Sequence, residues 1–240
     1  MSISAIILAA GQSKRMGQPK LLLPWENTTV LGKVIETVQS AGVEDILVVT
    51  GGAHDEVEKI ITNYNLRAAH NENFEQEEML GSIQLGLNAL LPPPPYSGTS
   101  PSEASLWDKS TRQASKNYSN LVSGFGGHST RAKRVVGREG VLICLGDQPQ
   151  VEERTVRTVV ETFQKNKSSI VVPSYQMRRG HPWLIAKELW DEVLKMRAPE
   201  TMRDFLNTHG NDIRYVEYDS PSILQDLDTP EDYLKYKPQS

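Results

Sequence analysis

At 240 residues, with 38 % apolar and 7 % aromatic residues, the chain can bury one sizeable α/β core and leaves little room for a second full domain. A net charge of −4 argues against nucleic acid or an anionic membrane as partner, yet a few cations gathered in one cleft can still handle phosphate. One cysteine, Cys144, excludes an intrachain disulfide and a thiolate metal cluster and fits a reducing compartment. It sits in the apolar run 141–145, where it reads as a small core residue. The apolar run 3–10 is too short for a signal segment or a membrane span, so the expected location is cytoplasmic.

The chain opens with Ile3 to Ala10, a short apolar run ending in glycine, which predicts a strand buried on both faces. A polar loop, Gly11 to Pro24, separates it from a helix whose apolar stripe is Val30, Leu31, Val34, Ile35, Val38 and Ala41. A threonine pair precedes that helix as a cap and Gly42 stops it. A strand follows at 45–50, then a helix at 54–62, a short strand at 67–70 and a helix at 79–91. This alternation predicts a three-layer open sheet, mostly parallel, with helices on both faces.

From 92 to 139 the periodicity dissolves. Four prolines open a stretch with nine serines and a local charge of +5 between residues 92 and 138, leaving −9 for the rest. A structureless loop this long is unusual inside a compact domain, and its composition predicts a flexible basic insertion in a single domain spanning 1–240. Order resumes with a strand at 141–145 and a helix carrying Val156, Val159, Val160 and Phe163. The sequence then predicts strands at 169–173, 183–185 and 213–218, with helices near 187–196 and 201–209 between them. At the end, Thr229 reads as an N-cap with Pro230 at the first helical position.

The most informative stretch is Leu8-Ala9-Ala10-Gly11-Gln12-Ser13-Lys14-Arg15-Met16-Gly17-Gln18-Pro19-Lys20. It leaves the carboxyl end of the first strand, where open parallel sheets place their ligands. Its glycines let backbone N–H groups approach an anion, Ser13 adds a hydroxyl, and Arg15 and Lys20 bring one forked and one point charge. The spacing fits neither a Walker A loop nor G-x-G-x-x-G.

The segment LAAG-x-S-x-RMG-x-PK resembles the signature of the GT-A-like nucleotidyltransferase superfamily, and Leu21-Leu22-Leu23-Pro24 narrows the likeness to the molybdenum cofactor cytidylyltransferases of the MobA-like group. Gly146-Asp147-Gln148-Pro149, Arg179-Gly180-His181-Pro182 and Asp226-Leu227-Asp228-Thr229-Pro230-Glu231-Asp232 resemble three further motifs of that group, in the same order. The 92–139 insertion is a departure, since relatives are much shorter there.

The resemblance implies a Rossmann-like fold and transfer of CMP from CTP to the phosphate of a molybdopterin-type acceptor, releasing pyrophosphate. It implies Mg²⁺ or Mn²⁺ held by Asp147 and Asp228, with Asp226 a weaker candidate. Arg15 and Lys20 would neutralise the triphosphate, with Asp147 completing the catalytic set. Leu8, Ala9, Ala10, Gly11, Ser13, Gly17, Gly52, Gly81 and Ser82 would line the nucleotide site, and Arg179 and His181 the acceptor site. Ser82 could equally be a helix-start cap and His181 a structural residue, while Trp183 reads as core. The Ala10 methyl would disfavour a purine. A guanylyl- or sugar-phosphate transferase, and a non-catalytic cofactor carrier, remain as alternatives, as does docking of a molybdoenzyme or its chaperone through the basic insertion.

Overall fold

The computed structural model describes residues 2–76, 79–91 and 137–238. The region 92–136, which holds nearly all of the expected insertion, lies outside the described residues, and its flexibility and its role in docking lie there too. The end of the insertion does not: Arg138 and Glu139 belong to a strand that begins at Arg138, so ordered structure starts earlier than the apolar pattern indicates. The reason is an ion pair. Arg138 Nε lies 3.0 Å from Asp45 Oδ2, and Arg67 reaches the other oxygen of Asp45 at 2.6 Å, so polar residues are drawn into the sheet's amino edge.

The elements in chain order are β1 (Ser2–Ala9), β2 (Pro24–Trp25), β3 (Thr28–Thr29), α1 (Val30–Ser40), β4 (Asp45–Thr50), α2 (His54–Asn63), β5 (Arg67–His70) and α3 (Met79–Leu90). After the undescribed segment come β6 (Arg138–Leu145), α4 (Glu153–Asn166), β7 (Ile170–Tyr175), β8 (Arg178–Arg179) and β9 (Trp183–Ala186). The chain ends with α5 (Trp190–Lys195), α6 (Met202–Thr208), β10 (Ile213–Glu217) and α7 (Pro230–Tyr236).

The main sheet runs β10-β7-β9-β6-β1-β4-β5, with β8 paired to β7. Strands β6, β1, β4 and β5 are mutually parallel, and β9 is inserted antiparallel between β6 and β7. β1 sits in the middle and alternates its side chains between two cores. Ile3, Ala5, Ile7 and Ala9 join the cluster under α1, α2 and α4, while Ile6 joins the cluster under α3, α5 and α6. A strand apolar on both faces, with Ser4 as the buried exception hydrogen-bonded to Asp45 and Arg138, is therefore what a three-layer sandwich of helix, sheet and helix requires. Cys144 is buried in the first cluster, where burial pushes its thiol up, and it behaves as the core residue expected.

Local signals place the helices. Thr29 caps α1 by accepting a hydrogen bond from the Gly32 N–H at 3.0 Å, and Gly42 leaves it at φ +89°. Among the described residues no helix is long and apolar enough to cross a membrane.

Candidate active site

The loop after β1 turns on Ser13, whose carbonyl accepts from the Met16 and Gly17 N–H groups at 3.0 and 3.2 Å. Ser13 and Gly17 both adopt left-handed backbone, φ +52° and +70°. Ser13 Oγ accepts from the Lys20 N–H at 3.1 Å, which closes the loop and leaves the hydroxyl proton free to donate. Gly11, Ser13, Gly17 and Gly52 border a cleft of about 430 Å³. A Cβ on the neighbouring Gly51 would sit 2.5 Å from the Ala10 carbonyl oxygen, so only glycine lets the turn after β4 approach the loop after β1.

Two sequence-distant carboxylate loops meet this one. Asp147 follows β6, and Gly146 N–H donates to the Leu8 carbonyl at 2.9 Å. Asp228 precedes α7, and Leu227 N–H donates to the Asp147 carbonyl at 3.2 Å. The Thr229 hydroxyl accepts from the Asp232 N–H at 3.2 Å, and the Asp232 carboxylate accepts from the Thr229 N–H at 2.9 Å. That reciprocal cap, with Pro230 behind it, fixes the Asp228 backbone.

Lys20 is the meeting point. Its Nζ lies 2.5 Å from Asp147 Oδ2 and 3.1 Å from Asp228 Oδ1, and Arg15 Nη2 lies 2.6 Å from Asp228 Oδ2. Lys20 is only 8 % exposed. Burial works against its charge, but the Asp147 and Asp228 carboxylates outweigh that and hold the ammonium above its ordinary value. Asp226 lies beside them and accepts from Gln148 Nε2 at 2.6 Å. Burial, then the Asp147 charge, push the Asp226 carboxyl up.

Leu8, Ala10, Gly11 and Ser82 share with these three aspartates a cavity of about 310 Å³. Two expected nucleotide residues stand apart. The Ala9 side chain is buried in the core beneath the sheet, which leaves only its backbone to contribute, and Gly81 borders neither the loop cleft nor the aspartate cavity. Ser82 is not a helix-start cap. It lies inside α3, which includes Met79 to Leu90, and accepts from Asn71 Nδ2 at 3.2 Å.

A second cleft, of about 450 Å³, adjoins the first at Met79, which borders both. Arg179, His181 and Trp183 form one wall of it, and Met202, Arg203 and Leu206 of α6 form another. His181 stacks on Trp183 with centroids 4.1 Å apart and planes at 24°. Burial drives the His181 imidazole down to about 3, so it is neutral at physiological pH. Trp183 is core, as expected, and donates from Nε1 to the Gly180 carbonyl at 2.8 Å.

Sequence reasoning missed Phe74, Met79 and Arg203. Phe74 borders both the loop cleft and the aspartate cavity, and a lone aromatic in the polar run 71–76 was a readable signal for it. Met79 and Arg203 lie on ordinary-looking helices, and nothing in their local pattern marks them.

A parallel-centred sheet that gathers a glycine-bearing cationic loop and three carboxylates at the carboxyl ends of its strands defines a nucleotidyltransferase-type α/β protein. Residues 5–213 match the model of the MobA-like NTP transferase domain, and the chain belongs to that family. It is 24 % identical over 237 residues to the molybdenum cofactor cytidylyltransferase of Escherichia coli K12, covering 98 % of this chain and 96 % of that one. It is 25 % identical over 229 residues to the purine catabolism protein PucB of Bacillus subtilis 168, covering 95 % and 92 %. In fold it is similar to Rv0371c of Mycobacterium tuberculosis H37Rv, with a TM-score of 0.69, 22 % identity and coverage of 99 % and 97 %; that protein is also known in complex with manganese.

Proposed function

We propose that this chain is a single transferase domain, interrupted between Leu91 and Arg138, that moves CMP from CTP onto the phosphate of a molybdopterin-type acceptor and releases pyrophosphate. The observation that carries this reading is the convergence of Lys20, Asp147 and Asp228 beside the glycine loop, with a second cleft sharing Met79 as its wall.

The chemistry asks for little acid–base help, because an acceptor phosphate is already anionic at neutral pH. The obstacle is bringing two anions together, which positioning and electrostatics address. In this reading the loop from Gly11 to Gly17 cradles the β- and γ-phosphates through its N–H groups and the Ser13 hydroxyl. Lys20 and Arg15 offset their charge. Leu8, Ala10, Gly52 and Ser82 border the nucleotide, and Arg179 and His181 take the acceptor; a neutral imidazole can donate one hydrogen bond without adding charge.

Asp147 and Asp228 suit a hard divalent cation, Mg²⁺ or Mn²⁺, because two carboxylates already converge on one cationic point at Lys20 Nζ. Among the described residues no three or more His, Cys, Asp or Glu side chains make a complete metal cage. An ion of this kind takes one or two carboxylates and completes its shell with phosphate and water. Such an ion would supply charge neutralisation and alignment at the α-phosphate. Asp226, held by Gln148, is the weaker ligand.

The test is a screen of the four ribonucleoside triphosphates with purified molybdopterin and Mg²⁺, read by mass spectrometry and pyrophosphate release. A CMP adduct formed with CTP is the expected product. A GMP adduct would transfer the reading to a guanylyltransferase, and binding of the pterin with no product from any triphosphate would favour a carrier.

A further inference from the structure

A third hollow, of about 10 Å³, has Thr37, Cys144, Gln148 and His181 in its lining. His181 also borders the second cleft, so it stands on the boundary between the two. Gln148 reaches the other way. Its Nε2 donates to Asp226 Oδ1 at 2.6 Å, and Asp226 borders the aspartate cavity but not this hollow. The pair therefore links the nucleotide side of the site to the wall that carries His181.

Each of the two residues has a buried polar atom with no hydrogen-bond partner among the described residues: Gln148 Oε1 and His181 Nε2. Gln148 is only 3 % exposed. Its amide is not free to turn, because the Asp226 carboxylate takes the nitrogen end and leaves the oxygen end directed elsewhere. Folded proteins rarely leave such atoms unmet. The hollow has about the volume of one water and is too small for an organic ligand. A buried water also needs about two to four polar partners. Oε1 and Nε2 supply two, and the Thr37 hydroxyl and Cys144 thiol on the same lining are donors.

Resting on the transferase reading above for the roles of the two sides, we propose that this hollow is a water site. One water bridges Gln148 Oε1 and His181 Nε2, and Gln148 is thereby the positioning residue of the His181 imidazole. Oε1 can only accept, so the water gives it one proton and gives the other to Nε2, while Thr37 or Cys144 donates to the water. The neutral ring carries a single proton, which then sits on Nδ1. That is the proton His181 can offer to an acceptor in the second cleft, and its direction is tied through Gln148 to Asp226.

The water is read by crystallography of the full chain at a resolution that shows ordered solvent. A water within hydrogen-bond reach of both atoms is expected, and a dry hollow overturns the proposal. The tautomer is read by long-range ¹H–¹⁵N spectra of the histidine rings, with His181→Phe to assign the signal and the other four histidines as internal controls. Wild type should show His181 in the Nδ1–H form. Gln148→Met keeps nearly the same shape without the carbonyl, and should shift the tautomer ratio by about 2- to 10-fold, the value of one neutral hydrogen bond. A purely structural role for Gln148 would leave that ratio unmoved. An Nε2–H form in wild type, or an unchanged ratio in Gln148→Met with the other four rings unaltered, overturns the proposal. Should that variant fail to fold, the water and the tautomer of the wild type decide alone. No nucleotide or acceptor enters these measurements. A bridged ring that depends on Gln148, beside a triphosphate screen without product, keeps the water site and removes the transferase reading. A CMP product from a chain whose hollow is dry does the reverse.

Discussion

The nucleotide cavity and the cleft beside it share one wall and are built on opposite plans. The first joins distant pieces of chain, each positioned by a local device: glycine turns and a capping box set the loops, and the aspartates they carry pair with Lys20 at 2.5 and 3.1 Å, Asp228 across 208 positions. The second comes mostly from one stretch of chain: the strand with Arg179, the strand with Trp183 and the helix with Arg203 all lie within residues 178–208, and Met79 and Leu80 of α3 close the hollow. In the first, charge is balanced before a ligand arrives. In the second, among the described residues, neither Arg179 nor Arg203 pairs with a carboxylate within ion-pair distance. On the proposed reading, a cavity that holds a triphosphate needs its carboxylates kept apart from one another by a cation.

The largest effect that would sharpen this contrast is expected at the balanced side. Asp147→Asn keeps the shape of the loop but removes one of the two carboxylates around Lys20. Turnover should fall by about 10²- to 10³-fold, the usual size for one preorganised electrostatic group, with CTP binding less affected. A residual rate within tenfold of wild type would mean Asp147 is a structural partner of Lys20 and nothing more.

The open side is expected to respond to backbone packing. A Cβ at Gly180 would lie 2.5 Å from the Ile223 carbonyl oxygen. Ile223 also accepts from the His181 N–H at 3.1 Å, so Gly180→Ala should displace the wall that carries His181. The cost should be about 1–3 kcal/mol in thermal unfolding, with KM for the acceptor raised and KM for the nucleotide nearly unchanged. A matched rise in both would erase the distinction between the two cavities.

Acid provides a milder probe of the same wall. Burial holds His181 near 3 in the folded protein, while the unfolded chain protonates it at about 6.5. Its neutral form therefore adds nothing to pH dependence above 6.5. Below that, the unfolded state binds a proton the native state refuses, and stability should drop by up to about 1.4 kcal/mol per pH unit down to about pH 3. His209 has the opposite sign: burial disfavours its charge, but Glu192 and Asp212 prevail and raise it, so its contribution is present in acid and lost as pH rises through its folded value. Comparing His181→Phe with wild type by urea melts between pH 4 and 7 isolates the first term. Parallel curves for the two would mean that the imidazole reaches solvent.

The smallest effect is expected at Arg15, whose side chain is 70 % exposed despite its pairing with Asp228. Arg15→Gln should change stability by less than about 1 kcal/mol, and raise KM for the triphosphate only a few-fold in low salt. A loss as large as that of Asp147→Asn would show that the guanidinium acts on the reacting phosphates themselves.

The strands at 45–50 and 67–70 were legible to the residue, because each has an apolar middle and polar residues that mark its two ends. The same logic misjudged the start of β6. Arg138 is polar in isolation and enters the sheet only because Asp45 and Ser4 wait for it there. It also left Ser82 open between a helix-start cap and a base contact, since a single sequence does not reveal that Asn71 donates to its hydroxyl inside α3.

What the residue order determined by itself was everything local: apolar runs, caps, glycine turns and the Gly11–Lys20 loop, each governed by interactions spanning a few residues. The fold alone decided which distant pieces share a surface. It put Asp228 against Lys20 across 208 positions, left Ala9 facing the core, and set Arg203 opposite Arg179. Such contacts arise from the sheet's strand order and crossovers, a property of the whole chain that no short window encodes.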